Sequence, residues 1–334
     1  MASLIAALVA FVASAGVGIV LIPFLKKIHF GQTIKEIGPK WHKSKEGTPT
    51  MGGFMFWIGV TLGVVAGYLV LLAMSSDVID NTLIQNTRLF AGLGLALAMG
   101  FVGFVDDYIK VVKKQNLGLR ARQKTVMQFV IIILYLVTLF LVGDRSTVVT
   151  FPFIGQLDFG FFYYPLVAVG IYFIVNAVNL TDGIDGLCGS VTFVIGVAFM
   201  IICGILHYAG MGVLAAALAA GCIGFLVWNF HPAKVFMGDT GSLFLGGAVV
   251  ALALGVGQPL LLIFAGFIYI AEALSVVIQV ISFKTTGKRV FKMSPIHHHF
   301  EMCGWSEVKI VTVFSIVTAV GCAIAVGAAC WIMR

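Results

Sequence analysis

Residues 4–27 read LIAALVAFVASAGVGIVLIPFLKK, an uncharged run closed by Lys26 and Lys27. An apolar run of about 20 residues is the length of one membrane-spanning helix, and paired lysines after it mark a cytoplasmic end. Ala13-Ser14-Ala15 has the look of a signal-peptide cleavage site. No basic residue precedes the apolar run, however, so it reads as a retained helix with its N-terminus outside. The same pattern recurs at 54–74, 89–105, 126–142, 164–178, 190–206, 211–228, 243–257, 260–283 and 308–333. These stretches are too long and too uniformly apolar for barrel strands, and helices satisfy their own backbone in lipid.

Composition agrees. Of 334 residues, 60% are hydrophobic and 10% charged, with a mean hydropathy of +1.07. Such values exclude a soluble globular enzyme, a disordered chain and a disulfide scaffold. Cys188, Cys203, Cys222, Cys303, Cys322 and Cys330 form no CxxC pair and read as small buried hydrophobes. The expected fold is an all-α polytopic membrane protein of about ten transmembrane helices, a single domain over 1–334 with both termini outside. Around 144–160, β-branched and aromatic residues among Pro152, Gly155 and Gly160 point to a small external β-hairpin.

The charges sort by side. With the N-terminus outside, 18 of the 21 Lys and Arg fall in or beside the loops after spans 1, 3, 5, 7 and 9, and only Arg88, Arg145 and Arg334 fall opposite. Nine of 14 acids share the basic side, and Glu272 lies within a span. A basic inner face attracts anionic headgroups and anionic soluble substrates; ordinary topology signalling accounts for most of the bias by itself. No internal repeat is visible, which argues against an inverted-repeat transporter.

Polar residues concentrate in five inner segments. GTPTMGG (47–53) makes a tight turn in which Gly52-Gly53 allow close backbone approach. Span 3 ends in Asp106-Asp107, with Lys110, Lys113 and Lys114 following. Adjacent carboxylates at an apolar helix end call for a cation or lysines, or else sit at a solvated end. NAVNLTDGIDGL (176–187) carries Asp182 and Asp185, which a helical turn would place on one face, and suits a polar ligand or metal. NFHPAKVFMGDTGS (229–242) opens a span with Gly-Asp-Thr-Gly-Ser. Free N–H groups and hydroxyls there favour phosphate, and simple N-capping accounts for Asp239 or Ser242 but not for the whole loop. SPIHHHFE (294–301) holds three histidines that point in different directions and lack zinc-enzyme spacing; beside Lys and Arg they fit phosphate better. Glu272 is a functional candidate by its depth, and helix packing or backbone capping explains it equally well. Gly287-Lys288 is followed by Arg289, so no P-loop exists. Five aspartates from three loops at one membrane edge suggest Mg²⁺-assisted phosphoryl chemistry between a soluble and a lipid substrate.

These motifs, with VDDYIKVVKKQNLGLRARQK (105–124), resemble the polyprenyl-phosphate N-acetylhexosamine-1-phosphate transferases, in family order and over nearly the whole chain. PIHHHFE favours the phospho-N-acetylmuramoyl-pentapeptide branch. The resemblance implies transfer from UDP-MurNAc-pentapeptide to undecaprenyl phosphate, giving lipid I and UMP, with Mg²⁺. It places the protein in the bacterial cell membrane among lipids, as a homodimer, with no nucleic-acid partner. The site is expected from loops 26–53, 106–125, 176–190, 229–242 and 284–307. By resemblance, Asp239 is the metal ligand, with Asp106 and Asp107 beside the metal. One of that pair would serve as a base, although a phosphate monoester is already largely ionised. Asn179, Asp182, Gly183, Ile184 and Asp185 would hold the uridine region, with Phe236 against uracil and Lys45, Asn229 and Gln279 completing the nucleotide pocket. Lys124, His297, His298 and His299 would meet phosphates or the sugar, with His298 in the catalytic set. Two rivals differ in what they do: a sibling transferase would accept UDP-GlcNAc, and a cation transporter would move metal without nucleotide or lipid.

Overall fold

The computed structural model describes residues 1–28, 45, 47–74, 82–113, 117–152 and 154–333. The remainder of the expected 26–53 loop, residues 114–116, and Asp77, Asp80 and Arg334 lie outside the described residues. The helices are α1 (Ala2–Lys27), α2 (Phe54–Met74), α3 (Thr82–Val112), α4 (Ala121–Leu141), α5 (Tyr163–Thr181), α6 (Leu187–Ile205), α7 (Ala209–Asn229), α8 (Gly238–Gly255), α9 (Leu261–Ala265), α10 (Phe267–Thr286), α11 (Ile296–Met302) and α12 (Glu307–Ile332). Among the described residues, 10 of these are long and apolar enough to cross a membrane. Between α4 and α5, β1 (Val148–Phe151) and β2 (Gly155–Asp158) form the expected hairpin, antiparallel with Val148 opposite Asp158 and Phe151 opposite Gly155.

α8 is the hub, with nearly every residue from Thr240 to Gly255 buried. It packs chiefly on α3 and α5, while α7 packs on α1, α2 and α6. In lipid, close packing of small residues replaces the hydrophobic drive between helices. A Cβ at Gly246 would stand 2.8 Å from Val175 Cα, and one at Gly247 would stand 2.8 Å from Ala96 Cα. The missing side chains let α5 and α3 reach the α8 backbone. Large apolar side chains such as Leu4, Leu8, Ile133, Leu134, Ile281 and Ile316 face outward, as lipid contact requires.

Two elements depart from the expected spans. The stretch 260–283 is broken at Gly266 into α9 and α10, where a Cβ would crowd Leu262 O at 2.7 Å. α3 does not stop at its aspartates but runs to Val112, so Asp106 and Asp107 lie inside its last turns. The charged residues continue the helix because Lys110 pairs with both of them at i,i+4 and i,i+3.

The described residues of the loops after α1, α3, α5, α7 and α10 meet at one end of the bundle. At the other end, Arg88 donates to both Asp144 carboxylate oxygens at 2.6 and 2.8 Å, to the Tyr208 hydroxyl at 3.3 Å and to Gly255 O at 3.2 Å. This largely enclosed pair ties α3, the α4–β1 turn, α7 and α8 together. Asp144→Ala leaves a guanidinium without its counter-charge. The expected cost is about 3 kcal/mol, read as a lowered thermal midpoint in detergent.

Candidate active site

The end of α3 and the start of α8 bring three carboxylates together. Asp106, Asp107 and Asp239 can place one oxygen each within 4.8 Å of one another. α3 reaches the first turn of α8 because Gly103 carries no Cβ, which would collide with the Asp239 backbone. Asp107 Oδ2 accepts from the Thr240 N–H at 2.9 Å and from its hydroxyl at 2.7 Å. Asp106 Oδ1 accepts from the Leu119 N–H at 2.7 Å. Asp239 Oδ1 accepts from Asn179 Nδ2 at 2.9 Å, and Asn179 also donates to Ser242 Oγ at 2.8 Å. Two lysines offset the repulsion. Lys110 lies 2.5 Å from Asp106 Oδ2 and 3.2 Å from Asp239 Oδ2, while Lys124 lies 3.0 Å from Asp239 Oδ2 and 3.4 Å from Asn179 Oδ1. An all-oxygen donor set of this kind suits a hard divalent cation such as Mg²⁺.

The segment after α5 forms no helical turn at 182–186, so Asp182 and Asp185 do not share a helix face. They serve different neighbourhoods. Asp182 is half-buried, and desolvation followed by the fields of Asp239, Asp107 and Asp185 holds its carboxyl well above the usual carboxylate range. Asp185 is buried and fully engaged. Its Oδ1 accepts from Lys45 Nζ at 2.7 Å, and its Oδ2 lies 2.9 Å from His231 Nδ1 and accepts from the Ala233 N–H at 3.1 Å. Lys45 also reaches the Glu307 carboxylate at 2.7 Å, which in turn accepts from the Asp185 N–H at 3.0 Å.

Backbone pairing closes this half of the site. Phe236 N–H donates to Pro49 O at 2.8 Å, Gly52 N–H to Phe236 O at 2.8 Å and Gly53 N–H to Met237 O at 3.0 Å. Asn229 accepts from the Gly186 N–H at 3.0 Å and donates to Val235 O at 2.8 Å, stapling two loops. The Phe236 ring is half-buried beside them, and Ile184 is buried beneath.

The histidine run lies on α11 and diverges. His297 is fully buried, with Nδ1 3.0 Å from Glu272 Oε1. His298 Nδ1 lies 2.6 Å from Glu301 Oε2. His299 Nδ1 accepts from the Lys292 N–H at 3.1 Å. Gln279 accepts from the Val290 and Phe291 N–H groups at 3.0 and 2.9 Å and donates to Phe291 O at 3.1 Å. It clamps the loop between α10 and α11.

One expectation changes in detail. The Gly-Asp-Thr-Gly-Ser start of α8 does not leave all its donors free, because the Thr240 N–H and hydroxyl are both taken by Asp107. A carboxylate already occupies part of the place at this positive helix end that an anion would fill. His231 and Glu307 join the site without having been singled out. His231 lies two residues after Asn229 in the NFHPAKVFMGDTGS segment. Nothing near Glu307 marks it, since its partners are 122 and 262 residues away in sequence.

The model of glycosyl transferase family 4 matches residues 89–257. The chain is 47% identical over 322 residues to a phospho-N-acetylmuramoyl-pentapeptide-transferase of Clostridium botulinum, covering 96% of this chain and 94% of that protein. A protein of the same name from Halalkalibacterium halodurans is 46% identical, covering 93% and 92% of the two chains. One from Heliobacterium modesticaldum is 47% identical, covering 91% and 92%.

Glu307→Ala removes an acceptor from both Lys45 and the Asp185 N–H. The expected outcome is a loss of about 1–3 kcal/mol with faster amide exchange at 182–186, measured by thermal melting and hydrogen-exchange mass spectrometry.

Proposed function

The chain belongs to glycosyl transferase family 4 and, within it, to the phospho-N-acetylmuramoyl-pentapeptide-transferases, and on that premise we propose that it joins UDP-MurNAc-pentapeptide to undecaprenyl phosphate. The products are lipid I and UMP, in peptidoglycan synthesis. The observation that carries the chemistry is the cluster of Asp106, Asp107 and Asp239 flanked by Lys110 and Lys124 at one rim of a multi-pass bundle. A water-soluble pyrophosphate and a lipid phosphate can both reach such a rim.

In the overall reaction, a P–O bond forms between the lipid phosphate and the sugar-bearing phosphorus. The pyrophosphate bond breaks, and its electron pair leaves on UMP. Asp239, together with Asp106 and Asp107, would hold Mg²⁺, which would supply charge neutralisation at the pyrophosphate. Lys110 and Lys124 then exchange carboxylate partners for phosphate oxygens, holding nucleophile and leaving group in line. The lipid phosphate is largely ionised at neutral pH, so positioning outweighs proton abstraction in this scheme. Asn179 orients Asp239 through its amide. The 182–185 loop borders the uridine, the Phe236 ring offers a face to uracil, and Lys45, held by Asp185 of the same loop, meets the nucleotide beside it. Asn229 and Gln279 shape this pocket as loop staples. His298 and His299 face the phosphates or the sugar.

The excess of lysine and arginine at the site end supports a cytoplasmic active site and external termini. A homodimer remains part of the reading.

Asp239→Ala should cut UMP release by at least about 10²–10³-fold while the protein stays monodisperse in detergent. Near-normal turnover would remove the proposed metal site. Chelation by EDTA should stop turnover and added Mg²⁺ should restore it. Wild-type protein given radiolabelled undecaprenyl phosphate should convert it with UDP-MurNAc-pentapeptide; product from UDP-GlcNAc alone would assign the chain to the sibling specificity.

A further inference from the structure

Glu272 lies in the second turn of α10, within the apolar bundle, with no exposed surface. An acid in that position is costly unless compensated, and the compensation comes from α11. His297 Nδ1 lies 3.0 Å from Glu272 Oε1, and the His297 backbone nitrogen lies 3.5 Å from Oε2. The imidazole is itself fully buried. A carboxylate oxygen accepts, so Nδ1 carries the hydrogen. Nε2, on the far side of the ring, is buried and has no hydrogen-bond partner among the described residues.

What Nε2 meets is Gly183. A Cβ there would collide with Nε2 and would stand 2.6 Å from Cε1 and 3.1 Å from Cδ2 of the same ring. The imidazole fills the slot that a side chain at 183 would need. With hydrogen on Nδ1, the bare Nε2 faces the Gly183 Cα hydrogens, a weakly favourable contact. The opposite tautomer would press an N–H donor against that carbon with no acceptor, at a cost of about 1–3 kcal/mol. Glu272 therefore selects both the tautomer and the ring orientation, as carboxylates do for ligating histidines.

We infer that Glu272 is a positioning residue: it locks His297 beneath Gly183 and so fixes the 182–186 loop. Asp182, on one side of Gly183, lies within the fields of Asp239 and Asp107. Asp185, on the other, holds Lys45, His231 and the Ala233 N–H. A shift at Gly183 displaces both. The consequence for turnover rests on the transferase reading above; the consequence for the loop does not.

Two readouts test this. Hydrogen exchange across 182–186, in the intact protein without substrate, should speed up in Glu272→Ala. Turnover should fall about 10–100-fold, with no further fall when the substitution is made in a His297→Ala background. Glu272→Gln, whose carbonyl accepts the same Nδ1–H, should recover most of both readouts. Gly183→Ala, with Glu272 and His297 intact, should reproduce the faster exchange and serves if Glu272→Ala does not fold. ¹⁵N spectra of labelled histidine should show one buried ring protonated at Nδ1 alone, a signature lost in Glu272→Ala. Unchanged exchange in both Glu272→Ala and Gly183→Ala overturns the inference. So does a Glu272→Gln no better than Ala, or losses that add in the double variant. A wild-type protein inactive on either UDP-sugar would defeat the transferase reading and leave the exchange result standing.

Discussion

Three carboxylates within 4.8 Å at the rim of an apolar bundle repel one another, and partial removal from water sharpens the repulsion. Much of the surrounding arrangement answers that constraint. Lys110 spans the three acids from within α3, and Lys124 approaches from the start of α4. Thr240 at the head of α8 gives both its donors to Asp107. Asn179 at the end of α5 fixes the third carboxylate. Four helices are thereby held in register by charge neutralisation, and the small-residue contacts along α8 let them come close enough to do it.

Around this centre, polar groups work in relays. Asp185 reaches Lys45, His231 and the Ala233 backbone, and Lys45 passes the connection to Glu307 at the start of α12. Glu272 reaches His297, which abuts Gly183. The short 182–186 loop is thus held from one side by an ion-pair network and from beneath by a buried imidazole. Because Asp185, Glu272 and His297 are buried, an unmade hydrogen bond at these groups costs more than it would on a soluble surface.

The spans were legible because apolar runs of helical length have few other readings, and the hairpin at 148–158 was legible from its β-branched residues and glycines. Span ends were less so. A reader stops a helix at its first charges, yet α3 continues through Asp106 and Asp107 because Lys110, one turn on, pairs with both. The break at Gly266 was hidden because both sides of it are equally apolar. For the site, the motif-bearing aspartates and Asn179 do converge on one end. Glu307 was illegible because its importance lies wholly in partners far away in the chain, and a lone acid before a final span reads as an ordinary helix start. Glu272 was visible as an anomaly, but its partner was not, since three adjacent histidines give no sign of which one turns inward.

Glu307 is also the first residue of the last helix, and Lys45 precedes the second. During synthesis, the lysine leaves the ribosome long before the acid that completes its network. Membrane insertion can deliver α1 to α10 in order, but Lys45 and the Asp185 amide lack their shared acceptor until the start of α12 has been made. A chain stalled or cleaved before α12 would carry every aspartate of the acid cluster and still lack the Glu307 fastening of Lys45 and the 182–186 loop. The order of synthesis thus places the carboxylate shared by Lys45 and the Asp185 amide after every helix that carries the acid cluster.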